Sequence, residues 1–222
     1  MKDFISVIPI REGSKGLKKK NLSIINGIPL YLRAVNQALR ITDKCILNTD
    51  IPEVINKKFQ HNVQIYNRDK KYAKDDTSMN IVLKDLFSNI NLKDKIILLL
   101  QATSPLRIDK DIKEAINIFK SGQYSLVLSV KKVNSGVLKQ GYINNKEFIP
   151  INKKYLFSNR QSLPNIYAPN GAIYIFSVTD FLKNNCIPSD NIGFYEMPLE
   201  RSIDIDNKKD IIKVNELIKN GY

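Results

Sequence analysis

Apolar runs of strand length recur along the first half of this chain, at residues 4–8, 44–48, 63–66, 96–100 and 124–130. Stretches with helical spacing separate them. Residues 29–39 put Leu30, Val35, Ala38 and Leu39 on one side of a helix. Residues 53–59 form a short helix, 77–90 a longer one capped by Asp76 or Thr77, and 109–119 a further one. Residues 96–100 are the most apolar strand and are placed at the centre of the sheet. This β-α-β-α alternation predicts an α/β fold, a mostly parallel central sheet with helices on both faces.

The pattern changes after residue 131. Residues 131–170 are short, polar, Asn- and Gly-bearing pieces such as Gly141-Tyr-Ile-Asn-Asn145, read as hairpins and loops inserted into the sheet domain. Residues 172–176 return as a strand, and 208–217 close as an amphipathic helix. The organisation is one domain over residues 1–222, with 131–170 as an insert too thin to fold alone. Such an insert needs the main domain or a second subunit to cover it.

Composition narrows the function. A chain of 222 residues with 43% hydrophobic and 26% charged residues is long enough for one sizeable core. The longest apolar run, 96–100, is too short to span a bilayer, and Met1-Lys-Asp-Phe lacks a signal-peptide layout, so a cytoplasmic protein without membrane contact is expected. The net charge of +13 is spread along the chain rather than gathered in an arm. Its basic residues are not interleaved with aromatics as a stacking platform requires, which argues against a nucleic-acid binder. Two cysteines with no C-x-x-C pair exclude a disulfide framework. His61 is the single histidine, which argues against a His-based triad and a His-rich zinc site.

Chemistry gathers at four places. The first strand runs into Arg11-Glu-Gly-Ser-Lys-Gly16, then a basic run and Asn21. Small residues, a hydroxyl, free N–H groups and cations at the carboxyl end of a strand suit a polyphosphate. The 96–100 strand ends in Gln101, Thr103 and Ser104, where a glutamine can read a base edge or a sugar hydroxyl. Asp204 and Asp206 stand two apart in an extended run, so both carboxylates share a face, with Ile203 and Ile205 opposite. Two close carboxylates repel unless a cation lies between them, and Mg²⁺ takes one or two carboxylates plus phosphate oxygens. Finally, Arg160 and the turn Tyr167-Ala-Pro-Asn-Gly171, with Asn170, offer groups that grip a carboxylate and hydroxyls.

Taken together, residues 8–21, Leu99-Leu-Gln-Ala-Thr-Ser-Pro-Leu-Arg107, Arg160-Gln, Pro169-Asn-Gly-Ala-Ile-Tyr174 and Ser202-Ile-Asp-Ile-Asp206 resemble the acylneuraminate cytidylyltransferases, the CMP-sialic acid synthetases. The resemblance implies a Rossmann-like three-layer α/β/α nucleotidyltransferase fold. It also implies transfer of a cytidylyl group from CTP to a nine-carbon sugar acid, N-acetylneuraminic acid foremost, with Mg²⁺ as cofactor. Arg11, Gly13, Ser14, Lys20 and Asn21 match the loop that holds the CTP phosphates and ribose. Arg68 matches an arginine beside the nucleotide, and Thr77 and Ser78 match the segment at the cytosine, with Met79 as the alternative for the second serine. Gln101 and Tyr174 match residues of the sugar pocket. Lys139 and Arg160 match basic groups near the sugar carboxylate and the reacting phosphate. Asp204 and Asp206 match the metal-binding pair. Arg11, Lys20, Arg160 and Asp206 are the implied catalytic set, with Asp206 or a metal-bound hydroxide as proton acceptor. The family forms homodimers whose inserted segment reaches the partner's site. Three positions depart from the family pattern: Glu12 in place of glycine, Ala102 in place of proline, and Ile187-Pro188 where some sialic acid enzymes carry aromatics. The last of these leaves legionaminic, pseudaminic and Kdo-type acids as alternative substrates.

Overall fold

Residues 3–14 and 16–221 are described by the computed structural model. The strands are β1 (Phe4–Pro9), β2 (Ile24–Ile25), β3 (Ile28–Pro29), β4 (Cys45–Thr49), β5 (Val63–Asn67), β6 (Ile96–Leu100), β7 (Leu126–Val133), β8 (Gly141–Asn144), β9 (Glu147–Pro150), β10 (Ile166–Ser177) and β11 (Ile192–Glu196). The helices are α1 (Leu30–Ile41), α2 (Pro52–Ile55), α3 (Met79–Asn89), α4 (Asp109–Lys120), α5 (Val178–Asn184) and α6 (Lys208–Lys219).

A seven-stranded sheet runs in the order β11-β7-β10-β6-β1-β4-β5. Its pairs are parallel except those of β10 with β6 and β7. Side-chain alternation explains the layers. Ile8, Leu47, Leu98 and Ile173 pack with α1, α2 and α4 on one face. Val7, Ile46, Leu99 and Phe176 pack with α3 and α5 on the other. The three-layer architecture implied by the sequence is therefore present, and β6 is central as its composition predicts. A third cluster joins Val214 of α6 to Ile25, Leu30, Leu106 and Ile205, and so fixes the C-terminal segment to the main body.

Several boundaries differ from expectation. The helix expected at 77–90 begins at Met79, and its cap is Ser78, whose hydroxyl accepts from the Ile81 N–H at 3.4 Å. The strand expected at 172–176 starts at Ile166, and β7 extends to Val133, so the insert shrinks to residues 134–165. It contains the β8–β9 hairpin, whose two turn residues Asn145 and Lys146 both have positive φ, as a type I′ turn demands. Asp204 lies outside any strand, but Ile203 and Ile205 do pack inward, and the Ile205 N–H bonds to the Thr103 carbonyl at 2.9 Å.

Candidate active site

Residues at the carboxyl ends of β1, β5 and β6 converge on a cavity of about 190 Å³. Open α/β sheets bind ligands at this edge. Its rim is the loop that follows β1. Two ties shape that loop: the Asn21 side chain donates to the Arg11 carbonyl at 2.9 Å, and the Glu12 N–H donates to the Asp50 carboxylate at 3.0 Å. Arg11 reaches from the cavity to the Ala73 carbonyl at 3.1 Å and to Asp75 at 2.5 Å. Gly13, Ser14, Lys20 and Asn21 line the same cavity. Lys15 of the loop lies outside the described residues.

The loop meets the acidic segment from the far end of the chain. The Lys20 ammonium stands 3.0 Å from the Asp206 carboxylate. A Cβ on Gly16 would fall 2.5 Å from the Asp206 carbonyl oxygen, so glycine is what permits this approach. Asp206 is mostly exposed, whereas Asp204 lines the cavity itself. Burial pushes the Asp204 carboxyl above its ordinary range and the Asp206 charge adds to this, against pulls from Thr103, Lys20 and Lys131. The Thr103 hydroxyl leans on Asp204 but is buried without a hydrogen bond of standard geometry, and it faces the cavity.

Arg68 forms the floor. It is 4% exposed, and its guanidinium donates to the Asn48 side chain at 2.7 Å and to the Asn48 carbonyl at 2.9 Å. Burial lowers its pKa to about 10, with Asp50 opposing that shift and Arg11 adding to it. No carboxylate pairs with it within 4.0 Å among the described residues, and it lines the cavity. Asn48 and Asp50, which hold Arg68 and the loop, are the polar end of an apolar strand; that change of character at 48–50 is the sequence signal for them.

Gln101 completes the wall, its carboxamide beside Gly171. Gly171 has φ +78° at a register shift in β10, and Asn170 builds that bulge. Its carboxamide oxygen accepts from Ser129 at 2.5 Å and from the Ala172 N–H at 3.1 Å, and its nitrogen donates to Ser202 at 3.0 Å. Asn170 therefore does not line the cavity, and both ends of its amide are engaged in shaping the strand. Tyr174 is close enough to Asp204 for the carboxylate charge to raise its phenol pKa, after the larger effect of burial.

Other expected residues stand apart from the cavity. Thr77 lines a separate surface depression with Tyr72 and Lys74, and Ser78 is occupied as the α3 cap. Met79, the alternative at this place, does line the cavity. Lys139 and Arg160 sit on short helical turns of the insert, away from the cavity wall. Glu12 is exposed and is not among the residues that line the cavity. His61 is an exposed turn residue.

Two buried groups that the sequence does not flag support the wall from behind. Arg107 bonds the carbonyls of Gln101 (3.1 Å) and Ala172 (2.6 Å) and the Gln37 side chain (2.9 Å), and burial lowers its pKa to about 10. Asp111 accepts from Arg201 at 2.7 Å and from Tyr195 at 2.9 Å, anchoring the turn before the acidic segment to α4.

The comparisons agree with this geometry. Residues 5–209 match the family model described as cytidylyltransferase. An N-acylneuraminate cytidylyltransferase of Streptococcus agalactiae serotype V is 29% identical over 95% of this chain, and the chain spans 52% of that relative. The pseudaminic acid cytidylyltransferase of Campylobacter jejuni (serotype O:2) is 26% identical, covering 93% of this chain and 92% of its own length. The CMP-N,N'-diacetyllegionaminic acid synthase of Legionella pneumophila is 27% identical, covering 97% and 96%. A CMP:2-keto-3-deoxy-manno-octonic acid synthetase solved with CTP shares the fold, with TM-score 0.68, 17% identity and 99% coverage of both chains. No helix among the described residues is long and apolar enough to cross a membrane. A family match over nearly the whole chain, on a sheet that opens its polar cavity at the strand ends, leads to one conclusion: this chain belongs to the cytidylyltransferase family.

Proposed function

We propose that this chain transfers the cytidylyl group of CTP to a nine-carbon 2-keto sugar acid, N-acetylneuraminic acid, giving CMP-sugar and pyrophosphate. The observation that carries the reading is the meeting of the two chain ends: Lys20 and Gly16 of the first loop lie against Asp206, with Arg11, Arg68 and Asp204 around the same cavity. Relatives named for N-acylneuraminate, pseudaminic and legionaminic acids match at similar identity, so the last two acids form the second reading.

In this reaction the anomeric hydroxyl attacks the α-phosphorus, an O–P bond forms, the bond to the β-phosphate oxygen breaks, and pyrophosphate leaves. No covalent enzyme intermediate is required, so alignment and charge neutralisation carry the rate. Arg11 and Lys20 balance charge building on the leaving pyrophosphate, and Arg68 holds the nucleotide phosphates from the floor. Gln101 and the Thr103 hydroxyl offer polar contacts to the bound ligand, and Asp206, open to solvent, accepts the hydroxyl proton. The donor set fits a magnesium ion: a half-buried carboxylate destabilised by burial and by a neighbouring carboxylate gains from a cation. No cluster of three or more His, Cys, Asp or Glu occurs among the described residues, so phosphate oxygens and water would complete the shell. Asp204 and Asp206 would hold the ion, which when bound neutralises phosphate charge.

Lys139 and Arg160 reach substrate in this scheme by way of a second copy. The insert around them exposes Tyr142, Ile143 (68%), Phe148, Ile151 and Phe157 (92%), an apolar set that a homodimer would cover. The deciding experiment incubates the protein with CTP, Mg²⁺ and a panel of nine-carbon sugar acids and detects CMP-sugars by mass. A product with N-acetylneuraminic acid supports the first reading, and one with legionaminic or pseudaminic acid alone supports the second. No product with any acid removes both.

A further inference from the structure

A second cavity, of about 180 Å³, lies behind the wall of the first, between α1 and the segment after β6. The two cavities share one tetrapeptide. Gln101 and Thr103 face the nucleotide-type cleft, while Ala102 and Ser104 face the second cavity. The chain turns at Ala102 and Thr103, directly after β6, and so presents neighbouring side chains to different cavities.

Two residues that line the second cavity carry a buried polar atom without a protein partner, the Ser104 hydroxyl oxygen and Arg33 Nε. Ser104 is 3% exposed. The Arg33 guanidinium makes one long contact, from Nη1 to the Ile25 carbonyl at 3.4 Å, and no ion pair among the described residues. Burying polar donors without partners is costly, and Arg33, though only half-buried as a residue, has its Nε sealed without an acceptor. The other polar side chains here are engaged. Arg40 pairs with Asp109 through two bonds of 2.7 and 2.8 Å, and Gln37 bridges Arg107 and Asp109. Three guanidiniums (Arg33, Arg40, Arg107) border the space, and the adjoining groove supplies one carboxylate, Asp109. The site therefore has donors to offer and an excess of positive charge, and Arg40 and Asn36 mark its exposed mouth.

We infer that this cavity is a binding site for a phosphate-class oxyanion, held by Arg33 Nε and the Ser104 hydroxyl, separate from the cleft around Arg11. A dianion is favoured over a carboxylate because it balances more of the surplus charge. A ligand there contacts the same tetrapeptide that presents Gln101 and Thr103 to the cleft, so occupancy of one cavity bears on the other.

The test is calorimetric titration of the full chain with inorganic phosphate, ribose 5-phosphate and acetate. Arg33→Gln is expected to weaken phosphate binding by about tenfold or more, and Ser104→Ala by about threefold. Arg11→Ala is expected to leave this binding event in place. Thermal unfolding of each variant checks that it is folded, and the small Ser104→Ala change keeps the test valid if Arg33→Gln is unstable. Phosphate and ribose 5-phosphate binding alike place the open mouth on the ester side, whereas phosphate alone defines a free-ion site; either supports the inference. It is overturned if binding is unchanged in both cavity variants, vanishes with Arg11→Ala, is matched by acetate, or is weaker than about 10 mM. Because turnover is not measured, failure of the cytidylyl assay and failure here are independent results.

Discussion

The cleft at the strand ends and the insert at 134–165 differ in how they are held. In the cleft, each cationic group among the described residues is tied to a protein partner: Arg68 to Asn48, Arg11 to Asp75 and Ala73, Lys20 to Asp206. In the insert, Lys139 and Arg160 ride on 3₁₀ turns beside a hairpin with an exposed apolar surface. The first region is complete within one chain and is preorganised for an anionic ligand. The second is built of the kind of surface that becomes ordered and useful when another molecule covers it. The lesson is that one polypeptide supplies the cationic groups of the proposed phosphate half, while the two basic residues proposed for the sugar side, Lys139 and Arg160, lie on the insert.

The sharpest way to break this contrast is Asp206→Ala. If the phosphate half depends on the acidic pair, turnover with CTP and sugar acid falls by about a thousandfold, roughly 4 kcal/mol of barrier. Thermal stability changes little, because the Asp206 side chain is mostly exposed. Chelation of divalent ions is expected to produce the same loss in the unaltered protein. Turnover that survives either treatment at the wild-type rate would separate the pair from the chemistry.

Arg11→Ala comes next. Arg11 lines the cavity but is also braced by Asp75, so its loss removes a phosphate contact without emptying the core. A fall of about thirtyfold in kcat/KM is expected, shared between a higher KM for CTP and a lower kcat. Steady-state kinetics with varied CTP checks it, and unchanged constants remove Arg11 from the site.

A smaller effect tests the insert. The double change Ile143→Ser with Phe157→Ser takes two exposed apolar side chains off the proposed dimer face. Self-association measured by sedimentation is expected to weaken about tenfold or more. Monomer activity is expected to fall with it, through KM for the sugar acid rather than for CTP. If association and activity are both unaffected, the insert is not the assembly surface.

The two regions were also unequally legible from the sequence. β6 was readable to the residue because a fully buried strand is continuously apolar, Ile96–Leu100. The convergence of the first loop and the Asp204–Asp206 segment was readable only through the family resemblance, since no spacing rule links residues so distant along the chain. The α3 cap was misplaced because Asp76, Thr77 and Ser78 are consecutive capping types, and only backbone geometry selects among them. β11 was missed because it is an edge strand of alternating exposure, with Phe194 turned outward. The role of Asn170 was hidden for another reason: Pro-Asn-Gly reads as a ligand-contacting turn, while the structure uses it as a bulge inside a long strand. Arg107 could not be assigned at all, because its partners are carbonyls brought together by the sheet.

The finest discrimination comes from Glu12, the negative residue that breaks the family's glycine pattern at the edge of the better-held region. Its charge would oppose a triphosphate if it faced the cavity. Instead its backbone N–H is fixed by Asp50 and its side chain is exposed outside the cavity lining, while the nearby Lys19 pairs with Glu53 at 2.6 Å. A solvated charge of this kind is weakened by water and by salt beyond about 10 Å at ordinary ionic strength. Glu12→Ala keeps the N–H tie to Asp50 and is therefore expected to change the KM for CTP by less than about twofold at 0.1 M salt. The change should grow as salt is lowered, because only long-range repulsion is left to act. A tenfold drop in KM that persists at high salt would mean that Glu12 meets the phosphates directly, and the described loop conformation would then not be the one that binds CTP.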